Sequence, residues 1–211
     1  MNKFFSKIAL NRTRSASPAA RCRSLPLRKI LSAGLLLGVS AGASAHPGHS
    51  DGFLAAFAHP FTGVDHLLMM LFVGVWAGRS GGTTRWLLPA TFLSSMLGGW
   101  SLGANGLIIP GLESGIAATL IVLGVLLVLQ VQLPRAAQIV LVALFALLHG
   151  LAHGGELQAA WPSAVGMVLA TALLHGLGLT ATALIPARHG VIYRVAGAGL
   201  ALVGGGLLAT I

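Results

Sequence analysis

The sequence predicts an all-α integral membrane protein, a compact bundle of six transmembrane helices after a cleaved signal peptide. Three observations carry this. Hydrophobic residues make up 55% of the chain and charged ones only 8%, far from the balance of a soluble domain. Apolar segments close to the ~20 residues that cross a bilayer recur along the chain after its first third. The basic residues beyond position 30 all fall in alternate connections between those segments.

The amino-terminal segment comes first. Eight of the thirteen Lys/Arg precede residue 30: Lys3, Lys7, Arg12, Arg14, Arg21, Arg23, Arg28 and Lys29. The apolar run ILSAGLLLGVSAGASA follows and ends on Ala43-Ser44-Ala45, a small-residue cleavage pattern. Residues 1–45 therefore read as a secretory signal peptide and 46–211 as the transmembrane domain. The basic region is long, and an uncleaved anchor helix is the alternative. The pI of 11.7 comes largely from this segment. From His46 onward five Arg face four acids, so a nucleic-acid partner is excluded. The single cysteine, Cys22, lies in the signal, which leaves the mature chain without disulfides or thiolate metal ligands.

The six spans are expected at 57–78, 86–104, 113–130, 136–154, 161–184 and 191–210. Short connections make sequential neighbours antiparallel, in one bundle surrounded by lipid. The 29 glycines, in runs such as GAGLALVGGG, suit close helix packing. With the mature amino terminus outside the cytoplasm, RSGGTTR, QVQLPR and PARHGVIYR face inward. They and the adjoining helix ends hold Arg79, Arg85, Arg135, Arg188 and Arg194, and the outer loops hold no basic residue. That distribution satisfies the positive-inside rule for a bacterial inner-membrane protein with both mature termini periplasmic.

Polar groups inside such spans are costly and therefore informative. The first span carries HPFTGVDHLLMML. His59 and His66 lie two helical turns apart on one face with Met70, while Asp65 points about 100° away. Pro60 is expected to start the regular helix, and Gly63 to admit a neighbouring backbone or a ligand. A structural hydrogen bond from Asp65 to histidine is the plain alternative to a metal site. In the fourth span, LLHGLAHGGE sets His149, His153 and Glu156 on one face, and imidazoles at i and i+4 can chelate one divalent ion. The pattern is not His-Glu-x-x-His, so the usual zinc-protease arrangement is absent. Gly follows both histidines, which suits tight packing around a small ligand. The fifth span supplies His175 in LLHGLG, where a structural role and a metal-binding one are equally open. Glu113 at the start of the third span complements the helix dipole, and His189 belongs to an inner loop. Cleavage before HPGHSD would join an α-amine to the His46 imidazole, with His49 and Asp51 as further donors.

These residues resemble the HupE/UreJ hydrogenase and urease accessory proteins, through HPFTGVDHLLMMLFVG, the preceding HPGH, HGLAHGGE and LLHGLG. The resemblance extends over essentially the whole mature chain. It implies a nickel or cobalt permease serving metalloenzyme maturation, with His59, Asp65, His66, His149, His153 and Glu156 as ligands, and His175 beside them.

Two functions are then expected to compete. The first is a secondary divalent-metal permease. Imidazole and carboxylate without thiol suit Ni²⁺, Co²⁺ or Zn²⁺ as cargo, with no prosthetic group. His46 and His49 would capture the ion, and the absence of a P-loop means that this chain does not hydrolyse ATP. The second is an intramembrane metal-dependent hydrolase with Asp65 or Glu156 as base. The dispersal of the candidate ligands over three helices favours transport. A homo-oligomer and a partner ATPase are both left open.

Overall fold

The structure is a computed structural model and describes residues 52–157, 160–185 and 189–211. The signal peptide, its cleavage site, His46 and His49 lie outside these residues. Seven helices and no strand are found among the described residues: α1 (Gly52–Thr62), α2 (Val64–Ser80), α3 (Thr84–Ala104), α4 (Leu112–Leu129), α5 (Arg135–Glu156), α6 (Trp161–Leu184) and α7 (Gly190–Leu208). Four of them, α4 to α7, are long and apolar enough to cross a membrane, and α1 with α2 makes a fifth if that bent pair is one span. The protein is a multi-pass helical membrane protein. The 21 residues of α3 are sufficient in length, but Ser94, Ser95, Gly98, Gly99, Trp100 and Ser101 dilute its apolar character.

The first expected span is corrected. The sequence predicts one helix over 57–78 beginning near Pro60, whereas Pro60 lies inside α1 and the chain breaks at Gly63, where α1 and α2 meet at 81°. The reason is local. Proline has no N–H to give the carbonyl one turn back, which weakens the ladder just before the break. Gly63 then takes an extended conformation, φ −90° and ψ 121°, and as amino-terminal cap of α2 it has no side chain to offer the free N–H groups. Asp65 supplies one acceptor instead, its Oδ1 taking the His66 N–H at 2.8 Å.

The most intimate helix pairs are not sequence neighbours. α3 and α5 run parallel, with Gly99 against the backbone of Leu147 and Gly103 against that of Leu151. From the other side Gly150 meets the Met96 carbonyl and Gly154 the Trp100 carbonyl. Both helices thus present glycines four residues apart, the spacing that lets backbones touch. The glycines after His149 and His153 therefore serve α3 and not a ligand. α2 and α6 are joined the same way, Gly74 against His175 and Gly178 against Leu71, while Gly124 on α4 faces Gly197 on α7. A core of Met69, Met70, Val73, Phe92, Met96, Leu120, Leu123 and Met167 fills the space between the pairs.

Candidate metal centre

The break at Gly63 does what a straight helix could not. Seven residues along one helix would separate His59 from His66 by about 10 Å. With the bend, their ring centroids lie 5.7 Å apart. The last turns of α5 bring in His153, whose ring is 4.9 Å from that of His59 and 4.5 Å from that of His66. One ligand atom from each of these three histidines lies within 4.8 Å of the others. Nitrogens bound to one tetrahedral ion at about 2.1 Å would be about 3.4 Å apart, so a small contraction closes the set.

Each ring is held differently. His66 Nδ1 lies 2.8 Å from Asp65 Oδ1, the same oxygen that accepts the His66 backbone N–H. The carboxylate can only accept, so Nδ1–H donates and Nε2 keeps a bare lone pair. Asp65 is thus bonded to histidine, as the plain alternative has it, and in that position it orients the His66 ring. His59 Nε2 lies 3.1 Å from Glu156 Oε2, across from α1 to the end of α5. His149 Nδ1 donates to the Phe145 carbonyl at 2.8 Å, leaving its Nε2 bare, and its ring lies 5.2 Å from that of His66. His153 is fully buried with neither nitrogen bonded.

Among the described residues, His66 Nε2, His149 Nε2, both nitrogens of His153, His175 Nε2 and Trp100 Nε1 are buried without a hydrogen-bond partner. Each such group costs about 1–3 kcal/mol. Four of these nitrogens, on His66, His149 and His153, carry the cost in one cluster, where a metal ion would relieve it. The helix ends add to it: α1 terminates at the cluster, directing its carbonyl end toward a cation, and Asp65 offsets the positive first turn of α2.

A cavity of about 510 Å³ opens beside these groups, lined by Asp65, His66, Glu113, Ala117, Glu156 and Ile211 among others. Asp65, Glu113 and Glu156 give this lining three carboxylates, which attract cations. Glu113 lies in the first turn of α4, as its helix-dipole role requires, and the same position also lines the cavity. Only the approach of α4 to α5 reveals that second role. His175 stands apart from the three-imidazole set, its Nδ1 donating to the Met70 carbonyl at 2.6 Å.

The motif residues of the centre and the helices that carry them fall inside a longer match. Residues 34–207 match the HupE / UreJ protein family. Protein HupE of Rhizobium leguminosarum bv. viciae is 42% identical over 171 residues, 79% of this chain and 90% of the relative. No solved structure matches the chain. The match spans every helix that builds the histidine cluster, and the chain belongs to the HupE/UreJ family.

Proposed function

We propose that the protein is a secondary permease that carries Ni²⁺ or Co²⁺ across the bacterial inner membrane for metalloenzyme maturation. One observation carries the reading: bare, buried nitrogens of His66 and His153 meet His59 beside a carboxylate-lined cavity. Family membership supports it and lends nothing to the hydrolase alternative; we read a carrier, not an enzyme. The ion is captured by His46 and His49, enters the cavity past Glu113 and Glu156, and sheds water at His59. It is then held by His66 and His153, with Asp65 fixing the His66 ring and offsetting the charge. A potential of 100 mV, negative inside, favours entry of a dication by about 4.6 kcal/mol, which drives uptake without ATP.

In this reading α1 with α2 forms one bent crossing and α3 another, making six with α4 to α7. The arginine distribution supports a periplasmic position for the histidine cluster. A reporter fused after Ile211 is expected to be active in the periplasm; cytoplasmic activity overturns the six-crossing topology. The function is tested by uptake of radioactive nickel and cobalt in cells lacking other importers. Asp65→Asn keeps the size and removes the charge, so uptake per folded molecule is expected to collapse at least thirtyfold. Normal uptake per molecule in this variant overturns the permeation site.

A further inference from the structure

The outer cluster leaves one buried imidazole unexplained. His175 is 1% exposed, and its Nε2 has no partner. Its other nitrogen is fixed as a donor by the Met70 carbonyl, so the free Nε2 presents a lone pair and nothing to receive it. A histidine retained for packing alone would bond both nitrogens, or be replaced by leucine without cost.

The surroundings of His175 are unusual in a second way. Thr171, one turn earlier on α6, shares its face. The Thr171 hydroxyl donates to Met70 Sδ at 3.2 Å and lies 3.6 Å from Met96 Sδ. Two thioethers from α2 and α3 thus gather on the Thr171 hydroxyl, one helical turn from the bare His175 imidazole, and all four side chains are buried. The close approach is enforced, because a Cβ on Gly74 would overlap the His175 backbone. Imidazole with thioether is a soft-to-borderline donor set that suits late first-row cations.

This place lies beyond the outer cluster. His149 is seven residues from the end of α5, roughly 10 Å of helix, and His175 fourteen from the start of α6, roughly 21 Å. The fully buried Phe92 ring neighbours both, its centroid 6.3 Å from that of His149 and 4.8 Å from that of His175. Both histidines present a bare Nε2, each with Nδ1 tied to a backbone carbonyl.

We propose that His175, with the thioethers of Met70 and Met96, forms a second, inner station for the transported ion, reached from His149 past the ring of Phe92. The inference rests on the permease reading. The inner station has no carboxylate among its donors and so holds a dication more weakly than the outer one, which favours release. Displacement of the buried Phe92 ring would open the step between stations.

Cys22 is the only thiol in the chain, so on a full-length Cys22→Ser background a new cysteine reports its own surroundings. His175→Cys, purified in detergent and loaded with Co²⁺, is expected to show a near-ultraviolet thiolate-to-cobalt charge-transfer band. A structural role for His175 gives no such band, and its absence from the cobalt-loaded protein overturns the station. His175→Gln, closer in size and polarity, is the second variant. Cobalt bound per folded chain is expected to fall from two to one, and uptake per folded molecule at least tenfold. Unchanged stoichiometry and uptake in this variant also overturn the station. His66→Ala separates the two readings. If it leaves uptake intact, the permeation site itself is wrong. If it abolishes uptake while both His175 variants behave as wild type, the inner station alone falls.

Discussion

At one end of the bundle Gln138 on α5 is buried and fully occupied. Its Oε1 accepts the Ser80 hydroxyl at 2.8 Å and its Nε2 donates to the Leu133 carbonyl at 2.8 Å. Close by, Gln130 donates to the Gly190 carbonyl at 2.9 Å, Tyr193 donates to the Ile185 carbonyl at 3.1 Å, and the Arg79 guanidinium lies 4.2 Å over the Tyr193 ring. At the other end of the same α5, His153 is as deeply buried and bonds to nothing. One helix thus carries polar groups of both kinds about 22 Å apart. The amide end ties loops to helices with bonds that neither water nor an ion needs to complete. The imidazole end keeps donors free at a cost in stability, and a protein retains that cost where a ligand offsets it. On the permease reading the saturated amides serve architecture and the bare imidazoles serve transfer, whereas Trp100 Nε1, also buried without a partner, belongs to the contact between α3 and α5.

The sharpest way to break this contrast is His153→Ala. If the free nitrogens exist for an ion, the change is expected to lower uptake per folded molecule at least a hundredfold and to abolish tight binding at the outer cluster. Stability should move little, within about 1 kcal/mol, because losing two unpaired polar atoms offsets much of the cavity left behind. Uptake per molecule is read from cells normalised to folded protein, and stability from thermal unfolding in detergent. A large stability loss with normal uptake would make His153 part of the architecture.

Gly63→Ala comes next, since it probes how the fold holds the imidazole end together. A Cβ there would lie 2.9 Å from Asp65 Oδ1 and 3.1 Å from His66 Nδ1. Backbone strain is not the issue, because φ is −90° and any residue adopts it. The crowding falls on the carboxylate that orients the ring, so uptake is expected to drop about tenfold while the protein still folds. Wild-type nickel affinity in this variant would show that the Asp65–His66 pair tolerates displacement.

Much of the helical layout is legible in the sequence, because lipid demands contiguous apolar residues. The expected 113–130, 136–154, 161–184 and 191–210 correspond to Leu112–Leu129, Arg135–Glu156, Trp161–Leu184 and Gly190–Leu208. The first span was less legible. Pro60 fits the first turn of a helix as well as it fits a weak point before a break, and the extended Gly63 is not marked by composition. The pairing of α3 with α5 was hidden for a different reason: glycines four apart announce a contact without naming the partner. The centre depends on both. His59 meets His153 only because α1 folds back at Gly63 and α5 is set by α3. Spacing alone placed His149 and His153 on one face, but the ring that joins His59 and His66 in the tightest set is His153.

The smallest expected effect lies at the amide end. Gln138→Ala removes two side-chain hydrogen bonds and leaves the Ser80 hydroxyl with its intrahelical acceptor, the Trp76 carbonyl at 3.0 Å. Each lost bond is worth about 0.5–1.5 kcal/mol net, so thermal stability in detergent should fall by about 1–3 kcal/mol. Transport is the discriminating measurement. Gln138 and His153 share a helix, so a general loosening of α5 would lower uptake in both variants. If bonded amides only join loop to helix, uptake per folded molecule stays within twofold of wild type in Gln138→Ala. A tenfold loss there would mean that the bonded amides themselves line the ion's path at the inner end, and that saturated groups take part in transfer after all.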